Sequence, residues 1–147
     1  MPGSNFILTD ANKKEIAAAI REAEENTIGE IRVFFEKKCD KDVLDRSLEV
    51  FEKLKMTETK LQTGVLIYIA HQDKKFAIIG DKGIHEKVPS TFWDDVKEQM
   101  QNHFAAGNFL NGITEAIFLC GNHLKKHFPT DGSNPNELSN EVVLNDD

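Results

Sequence analysis

The chain has 147 residues, enough for one hydrophobic core of ordinary size and not for two. Hydrophobic residues make up 39% and charged residues 29%, which excludes a collagenous or fully disordered chain, and no apolar run approaches the ~20 residues of a membrane-spanning helix. Acids outnumber Lys and Arg by 25 to 18, but five of them (Asp131, Glu137, Glu141, Asp146, Asp147) lie in residues 129–147, and the rest of the chain carries only −2. A near-neutral body without a basic stripe argues against nucleic acid as the main partner and leaves cation binding open. The first six residues show neither the basic segment nor the apolar run of a signal peptide, and Cys39 and Cys120 are too few for a disulfide framework. A cytoplasmic protein without membrane insertion is the expectation.

Thr9 is suited to cap a first helix over about Asp10–Glu25, where Ile16, Ala19, Ile20 and Ala23 form a narrow apolar stripe. Thr27-Ile28-Gly29 breaks that helix and leads into a strand, Glu30–Glu36, with Ile31, Val33 and Phe35 alternating against Arg32, Phe34 and Glu36. After a polar turn, Asp40 or Asp42 can cap a second helix to about Lys55, with Leu44, Leu48, Phe51 and Leu54 predicted to face inward. Met56–Thr63 is polar and reads as a loop. Val65–Ala70 is apolar on both faces, the pattern of a central strand covered on each side, and Lys75–Gly80 follows across a turn short enough for a β-hairpin. Ser90 or Thr91 is placed to cap a third helix with Trp93, Val96, Met100 and Phe104 inward. Gly107-Asn108 stops it, and a fourth helix carries Ile113, Ile117, Cys120 and Leu124 to about His127, ahead of Pro129.

The order α-β-α-β-β-α-α predicts an α/β fold, a three-layer α/β/α sandwich with a small mixed sheet. Strands 1 and 2 should be parallel, and strand 3 should run against strand 2. Residues 1–128 are expected to form a single domain and 129–147 an acidic tail, mobile beyond about Asn140, in which Leu138, Val142, Val143 and Leu144 could dock locally.

This topology collects the start of strand 1, the start of strand 2 and the end of strand 3 at one end of the sheet. Glu30, Asp81 and Glu86 fall there, a hard-oxygen set suited to Ca²⁺ or Mg²⁺ when loop carbonyls and hydroxyls join it. The usual rule for α/β sheets favours the opposite end, near Glu36–Asp40 and His71–Asp73. A plain reading competes with both: Asp81-Lys82-Gly83 as a strand-ending turn and Glu30 as a solvated edge charge. Cys120, His123 and His127 share a helix face at a spacing open to zinc, but core packing and the helix C-terminus account for them better. The chain has no Gly-x-Ser-x-Gly, His-Glu-x-x-His, Walker loop or Gly-x-Gly-x-x-Gly. Gly80-Asp-Lys-Gly83 holds two glycines, with no helix expected directly behind it to receive a phosphate.

Four segments resemble the TPM domain family: Thr-Ile-Gly-Glu-Ile-Arg-Val (27–33), Thr-Gly-Val-Leu-Ile-Tyr-Ile-Ala (63–70), Lys-Phe-Ala-Ile-Ile-Gly-Asp-Lys-Gly-Ile (75–84) and Phe-Ala-Ala-Gly-Asn-Phe-Leu-Asn-Gly-Ile (104–113). The resemblance spans about residues 6–128 and is to the compact branch whose third strand ends in Gly-Asp-Lys-Gly. It implies an α/β/α domain in a family where some members bind calcium and a plant member is described as an acid phosphatase. Glu30 matches the strand 1 acid, and Asp81 and Glu86 fall within the strand 3 glycine segment. The leading expectation is therefore a domain that binds Ca²⁺ or Mg²⁺ at the Glu30/Asp81 end. A metal-dependent phosphatase using the same loops is the first alternative, and an interaction module engaging an unknown protein partner is the second.

Overall fold

Thr9 caps the first helix, α1 (Asp10–Ala23), accepting from the Asn12 N–H while the Asn12 side chain accepts from the Thr9 N–H. The structure, a computed structural model, describes residues 8–130 and 140–145. The other elements are β1 (Glu30–Glu36), α2 (Val43–Lys53), a 3₁₀ turn (Met56–Glu58), β2 (Gly64–Ala70), β3 (Lys75–Gly80), α3 (Lys82–His85), α4 (Asp94–Ala105), α5 (Phe109–His127) and β4 (Val143–Asn145). Strand order is β3-β2-β1-β4, with β1 parallel to β2 and to β4, and β2 antiparallel to β3. The predicted mixed sheet and the directions of its first three strands are those observed.

Alternation along the strands divides the core. Ile31, Val33, Phe35, Val65, Ile67, Ile69 and Ile78 face α1, α4 and α5 in the larger cluster. Phe34, Leu66, Tyr68 and Ile79 face α2 in the smaller one. Every residue of β2 is buried, as a central strand with helices on both faces requires. Among the described residues no helix is long and apolar enough to cross a membrane.

Four expectations need correction. The helix α2 is rotated from its predicted face: Ser47, Val50 and Phe51 are buried, whereas Leu44 and Leu48 are 55% and 54% exposed. Phe51 and Leu54 of the expected stripe do pack on the smaller core, but Val43 and Val50 complete that face in place of Leu44 and Leu48, with Arg46 at its border reaching Glu36. The third predicted helix, α4, begins at Asp94 rather than behind Ser90 or Thr91. Phe92 and Trp93 are buried in the preceding turn, so their packing sets the start and no side chain caps it. The glycine turn after β3 leads directly into a short helix, α3, that was not expected. The tail supplies a fourth strand where none was predicted: Val142, Val143 and Leu144 dock, while Leu138 lies outside the described residues.

Cys120 lies fully buried on the α5 stripe, where burial foremost, with the charge of Asp95 adding, pushes its thiol well above the ordinary range. It is expected to resist a thiol reagent in the native protein and to react at once in denaturant. Rapid native labelling, or stoichiometric zinc in metal analysis, would reject this.

Candidate functional site

The two ends of the sheet differ in how their carboxylates are used. At the carboxyl ends of β1 and β2, Glu36 is buried and saturated. Arg46 donates from Nε and Nη2 to its two oxygens at 2.9 and 3.0 Å, Asn145 Nδ2 donates at 2.8 Å, and the Tyr68 hydroxyl donates a short hydrogen bond. Burial alone would raise the Glu36 pKa, but the bonds from Arg46, Tyr68 and Asn145 outweigh it and hold the carboxyl below the usual range. Nearby, Asp73 accepts from the Cys39 N–H at 2.7 Å. This end is built to hold β1, α2 and β4 together, and its acids face protein donors.

The opposite end collects the predicted residues without joining them into one cluster. Glu30 pairs in register with Gly64, and the Asp81 N–H donates to Gly64 O at 2.8 Å. The two acids thus stand on either side of Gly64, about 9–10 Å apart by two strand spacings. The charge of the buried Glu30 is felt by Glu24, the C-cap residue of α1, whose Oε2 accepts from the Ile31 N–H at 2.7 Å. Burial foremost, opposed by that hydrogen bond and aided by the charge of Glu30, pushes the Glu24 carboxyl up to about 7. Glu86 is exposed at the C-terminus of α3. No group of three His, Cys, Asp or Glu side chains among the described residues is arranged to hold a metal ion by itself.

Asp81 is the most unusual of the three. It is 8% exposed, and its Oδ1 caps α3 by accepting from the Lys82 N–H at 2.7 Å. Its Oδ2 is buried and has no hydrogen-bond partner among the described residues. A cleft of about 420 Å³ opens beside it, lined by Phe51 and Glu52 from α2, Thr57 from the 3₁₀ turn, and Lys82 and His85 from α3.

The family model described as the TPM domain, under the name TPM phosphatase, matches residues 5–121. The chain belongs to the TPM domain family. Among solved structures, BA42 from the psychrophilic bacterium Bizionia argentinensis is 46% identical with a TM-score of 0.89, over 96% of this chain and 97% of that one. An N-terminal domain from P. gingivalis (15% identity, TM-score 0.69, 86% and 83% covered) shares the fold. So does the N-terminal domain of the cg2496 protein from Corynebacterium glutamicum (12% identity, TM-score 0.63, 79% and 73% covered). No curated protein matches the chain.

Within this TPM domain, the Gly-Asp-Lys-Gly segment has a physical reason for its last residue. The Gly83 N–H donates to Gln62 O at 2.8 Å, and a Cβ at Gly83 would meet Gln62 O at 2.5 Å and Leu61 O at 2.6 Å. Only glycine lets the turn after β3 lie against the 59–63 loop of the TPM domain, two residues beyond Asp81. Sequence reasoning reached Asp81, and the 56–63 loop that carries Thr57, through strand directions but missed Glu24 and Glu52, because nothing in their spacing links them to strand ends.

Proposed function

We propose that this TPM domain binds a divalent cation, Ca²⁺ or Mg²⁺, in the cleft beside Asp81. The observation that carries the reading is the buried Asp81 Oδ2, which has no hydrogen-bond partner among the described residues. A desolvated carboxylate oxygen without a donor is costly, and a cation offsets that cost. Glu52 and Thr57 line the same cleft and offer a second carboxylate and a hydroxyl. One or two carboxylates with several retained waters suit Mg²⁺, and a larger flexible oxygen shell suits Ca²⁺. Glu30 and Glu86 do not line the cleft, so the reading rests on Asp81 and its neighbours across α2. The saturated Glu36 cluster at the other end supports this choice over the usual carboxyl-end position.

A phosphatase reading has one specific observation in its favour. Lys82 and His85 line the same cleft, and an ammonium and an imidazole N–H beside a cation would orient a phosphoryl group whose oxygen the metal polarises.

An NMR amide titration with Ca²⁺ and then Mg²⁺ tests the site. Saturable shifts are expected at Thr57–Gly64 and Gly80–His85, with His71–Lys74 unmoved. Asp81→Asn keeps the Oδ1 cap and removes the charge, and should weaken binding by at least about tenfold. Shifts concentrated at Glu36–Asp40 and His71–Asp73, or none at millimolar cation, would sink the assignment. Hydrolysis of a generic phosphomonoester that requires the cation and is lost in Asp81→Asn would establish the enzyme. Binding without turnover would leave a cation-binding domain.

A further inference from the structure

We infer that the outer edge of β1 is a binding site for an extended acidic–aliphatic peptide segment, which residues 141–145 of the chain itself occupy in cis. The occupant shows what the edge reads. The strand β4 pairs parallel with β1 in the register Phe34–Val143, Phe35–Leu144, Glu36–Asn145. Two residues back, that register sets Glu141 opposite Arg32, and the two interact electrostatically. At the other end the Asn145 amide donates to Glu36 Oε1 at 2.8 Å. Between these polar ends, Val142 and Leu144 pack on the larger core and Val143 on the smaller. The edge therefore selects an acid, three aliphatic residues and an amide, on top of backbone pairing.

The tail fills this edge incompletely. It pairs with only Phe34–Glu36 of a strand that spans Glu30–Glu36, and all three of its paired residues are half-buried. Farther along, the Ile31 N–H donates to the Glu24 side chain, which stands where a neighbouring strand would put a carbonyl. Arg32 Nε and Asn140 Oδ1 are buried without hydrogen-bond partners among the described residues. A groove of about 470 Å³ runs beside the tail between Glu141, Val142 and the Lys13 and Lys14 side of α1. Lys14 and Arg32 give that side of the edge a positive character, and Lys13 pairs with Asp10 at 3.5 Å. A longer segment with further acids would extend the pairing before Phe34 and meet the positive side formed by Lys14 and Arg32.

Tether length makes the cis occupant displaceable. Pro129 bridges Thr27, and the Thr130 N–H donates to Asn26 O, which fixes the chain beside the start of β1. The advance from there to Phe34 is about 23 Å of strand, whereas the chain from Thr130 to Val143 can extend about 43 Å. A covalently attached occupant competes at a raised effective concentration, so a partner must outbind it or arrive when the tail is released.

The test uses the full-length chain carrying Val143→Asp and Leu144→Asp, which undocks the tail, together with a blocked synthetic peptide of residues 139–147. The peptide should bind the variant saturably, shifting amides at Ile31–Glu36, and should bind the unaltered chain at least about fivefold more weakly because the tail competes. A peptide whose asparagine at position 145 is leucine should bind the variant about five- to tenfold more weakly. The milder Asn145→Ala chain provides the same comparison should the double variant fold poorly. No shift at Ile31–Glu36 in either variant at millimolar peptide would overturn the inference, as would equal binding to the unaltered chain. Exchange of tails between two copies, seen as a stable dimer of the unaltered chain, would also overturn it.

Discussion

Arg46→Met is expected to destabilise the protein by about 3–5 kcal/mol, the largest loss for any single side chain at the surface of α2. Arg46 holds both oxygens of Glu36, a residue whose side chain is only 5% exposed, and its guanidinium also lies 5.8 Å from the centre of the Phe34 ring. Removing the arginine leaves a buried carboxylate with only Tyr68 and Asn145 as donors. Lysine will not rescue it, because a single ammonium cannot reproduce the forked contact. Lys41→Met tests the converse: the Lys41–Glu49 pair is about half exposed on both sides, and its loss should leave the urea midpoint nearly unchanged. Urea unfolding of both variants, and of Arg46→Met combined with Glu36→Gln, checks the argument. The double variant should recover part of the loss, since it no longer buries an unpaired charge, and strict additivity would refute it. The acid side has a defined sign. Glu36 has a depressed native pKa, so its contribution is full above the ordinary carboxyl value and is lost as pH falls through the native value.

How far the fold was legible depended on whether local pattern and tertiary demand agreed. The strands β1 and β3 appear at their predicted bounds because Ile31-Val33-Phe35 and Phe76–Ile79 alternate or run apolar between clear turn residues. Thr9 and Asp42 cap helices because their short oxygens reach free backbone N–H groups within the same turn, an interaction that sequence alone specifies. The helix α2 carries two overlapping apolar stripes that share Phe51 and Leu54, and the sheet selects the one with Val43 and Val50 over the one with Leu44 and Leu48. The fourth strand was invisible because three residues of moderate hydrophobicity become a strand only when a sheet edge is present to pair with them. The candidate site was legible to the level of sheet end and Asp81. Its neighbour Glu52 comes from α2, whose approach to the sheet end is a matter of packing that residue spacing does not reveal.

Glu24→Gln should be more stable than the unaltered protein at pH 8, by up to about 3 kcal/mol, and within about 1 kcal/mol of it at pH 5. The native Glu24 carboxyl is raised from 4.5 to about 7, chiefly by burial. Between those two values the folded protein holds a proton that the unfolded chain has released, so stability attributable to Glu24 falls as pH rises. Above pH 7 the folded state carries a desolvated carboxylate beside Glu30, and the full penalty applies. Glutamine removes the charge and keeps an oxygen that can accept from the Ile31 N–H, so the strand edge retains its partner. The slope has the opposite sign from that of Glu36, and the two acids together place the stability maximum in mildly acidic solution. Urea curves at pH 5, 6, 7 and 8 for both chains measure this directly. A difference between them that stays constant across the series, or grows toward acid, would show that Glu24 titrates normally. Burial at the end of α1 would then have no electrostatic consequence for the first residues of β1.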